Sequence, residues 1–229
     1  MLALNDATAQ TGNSAARKFD EFGDIQYSDL IARLDNFAVQ LQNEPTVKGF
    51  IMVYRGRRDL PGLSNRYELI DGELFVSPAP GIPHQRVLQN LQMALADYLG
   101  SNPIGIVVPG AGAVFSDYDA VIPDLALVRH ERWDQVVTGE KFTGALDLVI
   151  EVMSPGKENR DRDLLVKRQL YAKYGVAEYW IVDAENRLVE VYHLQNNRLE
   201  GVATLRNGDE MTTPLLSGFR LVVSAIFNL

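Results

Sequence analysis

The run Asp147-Leu-Val-Ile-Glu-Val-Met-Ser-Pro155 constrains this chain most. From Leu146 to Val152 it is almost continuously apolar, and Ser154-Pro155 stops it. A half-exposed strand alternates apolar with polar residues, whereas a strand covered on both faces does not. The run therefore predicts a central strand with helices or a second layer on each side. Glu151 sits inside it, where a carboxylate loses solvation on folding and needs a compensating partner.

The surrounding pattern agrees with a mixed sheet flanked by helices. Ser28 to Leu41 has a helical apolar stripe, with Ser28 as a candidate N-cap, and Pro45 follows it. Tyr67 to Val76 reads as two short strands around Asp71-Gly72, a dipeptide suited to a tight hairpin turn. Ser77-Pro-Ala-Pro-Gly-Ile-Pro83 leads into a helix whose stripe is Val87, Leu88, Leu91, Ala94, Leu95 and Tyr98, with Gly100 ending it. Strands are predicted at Gly49–Tyr54, Ile104–Val108, Ala113–Ser116, Leu125–Arg129 and Leu146–Val152. A second helix is predicted over Arg160–Tyr174, then a hairpin from Glu178–Asp183 and Leu188–His193. The tail from Arg198 to Leu229 reads as further short strands. The fold class is α/β. Residues 1–25 read as a flexible lead-in, and 26–229 as one domain, since no linker divides them.

Composition excludes several chemistries. The 229 residues contain no cysteine and three histidines, so thiol catalysis, disulfides and thiolate-bound zinc are absent. No GxGxxG, Walker A or GxSxG sequence is present. No apolar run reaches the roughly 18 residues of a membrane span. The N-terminal stretch lacks a secretory apolar segment. The simplest expectation is a soluble cytoplasmic protein.

What remains is a set of carboxylates at strand ends. Asp124 opens the strand Leu125–Arg129 and Glu151 closes its own. Two carboxylates on neighbouring strands suit a hard cation such as Mg²⁺; the alternative is two half-exposed or salt-bridged strand-end residues. Glu68 faces opposite Tyr67 and Leu69 on the first hairpin strand, as a third acid or as a solvated glutamate. Asp163, Lys167 and Tyr171 share a helix face at four-residue spacing, so Lys167 reaches the acids or forms a surface pair with Asp163. His84 is read as preceding the first turn of its helix, as a phosphate donor or a cap. Tyr179 and Trp180 read as core.

In order along the chain, Tyr67-Glu-Leu-Ile-Asp-Gly-Glu-Leu, Ser77-Pro-Ala-Pro with His84, Pro123-Asp124-Leu, Asp147 to Pro155, Asp163 with Lys167 and Tyr171, and Gly175-Val-Ala-Glu-Tyr-Trp-Ile-Val-Asp183 resemble the Uma2-type restriction endonuclease family. The resemblance covers about residues 67–194. It implies the restriction endonuclease-like fold of the PD-(D/E)xK nucleases and a divalent-metal site at the sheet edge. Carried over, Asp124 and Glu151 match the two motif acids and Glu68 the upstream acid, all three as ligands of Mg²⁺ or Mn²⁺. The sequence departs from the superfamily at Met153, where a lysine two residues after Glu151 would stand. The family pattern places that lysine on the following helix, here Lys167. The implied activity is Mg²⁺-dependent hydrolysis of DNA phosphodiesters. His84, Arg160, Arg168 and Tyr171 are candidate substrate contacts. A homodimer would suit two-fold duplex recognition. The alternative is a nucleic-acid-binding or regulatory module that kept the fold and lost cleavage.

The net charge of −8 weighs against a DNA partner, but it is unevenly spread. Lys48 to Arg66 carries a net +4 and Pro155 to Lys173 a net +3, leaving −15 for the rest. Both basic stretches are expected to border the acids and to contact phosphates.

Overall fold

The computed structural model describes residues 2–6, 17–20, 26–44, 47–51, 66–154 and 162–228. The chain divides into two compact units, Met1–Leu60 and Pro61–Leu229.

In the first unit, β1 (Leu2–Asp6) pairs antiparallel with both β2 (Arg17–Asp20) and β3 (Val47–Ile51). The stretch expected as a lead-in thus contains two strands. Helix α1 spans Tyr27–Asn43 and buries Phe37 against Phe19, Leu34 and Leu41. Its N-cap position is Gln26, without a side-chain cap, so Ser28 lies inside the first turn rather than capping it.

The second unit holds two six-stranded mixed sheets. The first sheet contains β4 (Arg66–Ile70), β5 (Glu73–Ser77), β7 (Ala113–Ser116), β8 (Asp119–Val121), β10 (Val137–Thr138) and β11 (Lys141–Phe142). Its β4–β5 hairpin turns at Asp71 (φ +50°) and Gly72 (φ +83°), as the Asp-Gly pair predicts. The second sheet runs β15 (Arg198–Arg206), β14 (Leu188–Gln195), β13 (Glu178–Asp183), β12 (Leu148–Val152), β9 (Leu125–Arg129) and β6 (Gly105–Pro109). Within it only β12 and β13 run parallel. A parallel neighbour needs a crossover. That crossover includes a π-helical turn, Arg162–Lys167, continued by a helix over Arg168–Lys173. One regular helix over Arg160–Tyr174 is therefore corrected: Arg160 lies outside the described residues, and the regular part begins at Arg168.

Every residue of β12 is buried, as its apolar run requires. Alternation along it separates two cores. Leu148, Ile150 and Val152 pack with Leu125, Leu127, Trp180 and Val182 beneath helix α2 (Ile82–Ser101), whose Val87, Leu91, Leu95 and Leu99 are buried. Val149 and Met153 face the other way, with Ala126, Val128, Tyr179 and Ile181. There they meet Ile70 and Val121 of the first sheet and Leu170 and Tyr171 of the crossover helix. Glu151 has the parity of this second face. Met153, where the superfamily lysine would stand, is a buried core residue.

Two further readings change. His84 is in the first turn of α2, because the helix begins at Ile82 with proline in its first turn. The tail is one nine-residue strand, β15, then β16 (Glu210–Met211), β17 (Leu221–Val222) and a short helix, Val223–Ile226. Its Met211, Leu216, Phe219 and Ile226 complete the core under α2. No described helix is long and apolar enough to cross a membrane.

Candidate active site

The register of β9 and β12 places the two motif acids. Leu125 pairs with Ile150 in antiparallel fashion, so one step further Asp124 stands beside Glu151. Both belong to the face that meets the first sheet. The buried face of β4 contributes Glu68 and Ile70 from that sheet. The crossover brings Lys167 over the same spot. Arg66, Glu68, His84, Asp124, Glu151 and Lys167 line one cavity of about 20 Å³, with Ser77 and Ser154 at its wall.

Lys167 is 2% exposed and joins two of the acids. Its Nζ lies 2.9 Å from Glu68 Oε1 and 2.9 Å from Glu151 Oε1. The backbone N–H of Ile122 also donates to Glu68 Oε1, at 2.9 Å. The Tyr171 hydroxyl, fully buried, donates to Glu151 Oε1 at 2.7 Å. Burial, then the neighbouring Glu151 charge, pushes the Tyr171 hydroxyl pKa well up, so it stays a donor.

Asp124 is held on both oxygens. Arg66 Nη1 donates to Oδ1 at 2.5 Å, and Arg66 Nη2 donates to the carbonyl of Ile122. The Val152 N–H donates to Oδ2 at 2.8 Å, and His84 Nε2 lies 3.1 Å from the same oxygen. An ionised carboxylate only accepts, so His84 carries its proton on Nε2. His84 Nδ1 is buried with no hydrogen-bond partner among the described residues.

Burial alone would raise the pKa values of Asp124 and Glu68. For Asp124 the His84 hydrogen bond and the Arg66 charge outweigh it and hold the carboxyl well below the usual range. For Glu68 the Lys167 charge and the Ile122 N–H do the same. A lowered folded pKa contributes stability above the ordinary carboxylate range, and that stability is lost as pH falls through the folded value. Thermal unfolding midpoints are therefore expected to stay level from about pH 7 to 5 and to fall steeply below about pH 4. A midpoint that rises on acidification through pH 4 would show these acids to be protonated in the native state.

The structure thus brings Glu68, Asp124, Glu151, Lys167, His84 and Tyr171 together. His84 and Tyr171 orient the acids by hydrogen bonds. Arg168 is elsewhere, its guanidinium 5.0 Å from the centre of the Tyr192 ring. Arg160 and the side chain of Asp163 lie outside the described residues. Of the two basic stretches, Arg66 and Lys167 line the cavity, whereas Lys173 pairs with Asp71 and Asp119. Lys48, Arg55, Arg57, Arg58, Lys157 and Arg162 have no described side chain. Arg66, counted in the basic stretch expected to border the acids, does line the cavity; what sequence reasoning missed is its partner, Asp124, 58 positions away.

The family described as "Uma2: Putative restriction endonuclease" matches residues 58–224, which is most of the chain. The chain belongs to the Uma2 family. All four acid and lysine positions of the cavity fall inside the match. The crystal structure of a putative nuclease belonging to DUF820 from Anabaena variabilis ATCC 29413 is similar, with a TM-score of 0.58 at 18% identity over 70% of this chain and 89% of that one. That likeness shows the nuclease-like α/β fold. The type IIG restriction endonuclease BpuSI aligns with a TM-score of 0.34 at 16% identity, over 63% of this chain and 15% of that one. No curated protein matches. As a Uma2 member, the chain is at the coarse level a nuclease-type, restriction endonuclease-like protein.

Proposed function

We propose that this Uma2 protein is a metal-dependent endonuclease that hydrolyses DNA phosphodiesters at the Asp124 cavity. The observation that carries the reading is convergence. Three carboxylates and one buried lysine, drawn from two sheets and a crossover helix, line a single cavity of about 20 Å³. Such a polar cluster is costly to bury and does not arise from packing alone.

The donor chemistry fits a divalent cation. All three acids offer hard carboxylate oxygens, and the cavity is the size of one water or small ion. Asp124 and Glu151 would hold Mg²⁺ or Mn²⁺, with Glu68 directly or through water. Among the described residues no three acidic or histidine groups are gathered as a metal cage; Arg66 and Lys167 pair with the carboxylates. When bound, the cation polarises a phosphoryl oxygen and lowers the pKa of water.

The chain's own groups do the rest. His84 and the Val152 N–H fix Asp124, so its orientation costs nothing at the moment of reaction. Tyr171 fixes Glu151 in the same way. Lys167 supplies a pre-oriented positive charge where negative charge develops on the phosphoryl group, or positions the attacking water. It takes the place of the lysine that Met153 cannot supply.

The test is cleavage of supercoiled plasmid by the full chain with Mg²⁺, with Mn²⁺ and with EDTA. Nicking or linearisation with either metal, abolished by EDTA, is the expected result. Intact plasmid under every metal condition would overturn the reading.

A further inference from the structure

Arg66 is the cation at this site with the most exposure. Its side chain is 21% exposed, against 4% for Asp124 and 2% for Lys167. Lys167 is almost fully buried, whereas Arg66 keeps some contact with solvent. The guanidinium is spread between two acceptors, Asp124 Oδ1 and the Ile122 carbonyl. Asp124 Oδ2 already takes the Val152 N–H and His84, so among the described residues Oδ1 depends on Arg66. A cation reaching Asp124 from solvent therefore meets the oxygen that Arg66 holds.

Charge points the same way. Counted against the three carboxylates alone, Lys167 and a divalent cation balance Glu68, Asp124 and Glu151 in full. Arg66 would then be a surplus charge in a buried cluster, and surplus buried charge is costly. Its planar fork of donors, released from a carboxylate, matches a phosphate diester equally well. Strand β4 places Arg66 two residues from Glu68, on the same face.

We propose that Arg66 is a substrate-contacting residue whose availability is set by the cation. Without metal it pairs with Asp124 and stands in for the missing charge. When a divalent cation takes Asp124, the guanidinium turns to the phosphate of the bound strand. Cation binding and phosphate binding are thereby coupled through one side chain. This rests on the nuclease reading above and adds to it the residue that contacts the substrate.

The test uses Mn²⁺ alone, titrated into the full chain and followed by electron paramagnetic resonance, so that no cleavage is needed. Wild type, Arg66→Gln, Arg66→Lys and Asp124→Asn are compared, each with its far-ultraviolet dichroism checked. Removing the competitor should tighten Mn²⁺ binding about tenfold in Arg66→Gln. Arg66→Lys keeps a charge but not the two-acceptor fork, and should tighten it only about threefold. Asp124→Asn should lose the site. A phosphorothioate duplex, slow to hydrolyse, supplies the second arm. In Mn²⁺, Arg66→Gln should bind it at least about tenfold more weakly than wild type, and in EDTA about equally. Mn²⁺ affinity that Asp124→Asn abolishes but Arg66→Gln leaves unchanged would overturn the exchange and leave the nuclease reading standing. Mn²⁺ binding that is absent from wild type, or indifferent to Asp124→Asn, would overturn both. If Arg66→Gln misfolds, Arg66→Lys decides: binding no tighter than wild type refutes the competition.

Discussion

Lys167→Met should cost about 3–5 kcal/mol of stability and slow cleavage by about 10²- to 10³-fold. The side chain is buried and makes ion pairs of 2.9 Å with two carboxylates. Methionine fills a similar volume but leaves Glu68 and Glu151 close together without their shared cation. Removing one partner of a buried pair strands the other, and here two are stranded. For a unit of this size the unfolding midpoint should drop by roughly 6–20 °C. If the lost charge serves the phosphoryl group as proposed, the cleavage rate should fall by about 10²- to 10³-fold even where the variant is folded. The double variant Lys167→Met/Glu68→Gln should recover part of the stability, by easing the repulsion, and none of the activity. Calorimetry with a plasmid assay checks both. A midpoint within 2 °C of wild type would mean that the acids are not ionised around this lysine.

Asp124→Asn separates chemistry from folding in the opposite proportion. The amide keeps the shape and an oxygen for the Val152 N–H. It loses the negative charge that Arg66 faces and that a cation would need. The expected destabilisation is about 1–3 kcal/mol. The expected loss of cleavage is about 10³-fold or more, equivalent to roughly 4 kcal/mol of barrier. Activity lost with only a modest change in stability is the signature of a ligand rather than a structural strut.

The parts of this site that local pattern encodes were legible in advance. The apolar run of β12 announces a strand covered on both faces, and each of its five residues is buried. Asp71-Gly72 announces the hairpin because both positions need positive φ. Asp124 and Glu151 are recognisable because a carboxylate beside such apolar strands calls for a partner. Glu68 was ambiguous: alternation sets its face, but only the packing of the first sheet on the second decides that this face is buried. The four-residue spacing of Lys167 and Tyr171 suggested one helical face, and both do reach Glu151, although Lys167 ends a π-helical turn. Arg66 and its carboxylate partner are joined only by tertiary structure, which no local period reports. The strands β10 and β11, two residues each, carry no periodicity to read. Ser28 shows the reverse error, since a good capping residue stands one position past the actual start of its helix.

The role proposed for the Asp124 cavity is metal-dependent cleavage of DNA. It is tested most directly by comparing wild type with Asp124→Asn, purified in parallel, on supercoiled plasmid in Mn²⁺. The expected result is nicking by wild type that EDTA stops, and at least about 10³-fold slower nicking by a folded Asp124→Asn. Equal cleavage by the two proteins, or none by wild type in any metal, would contradict it.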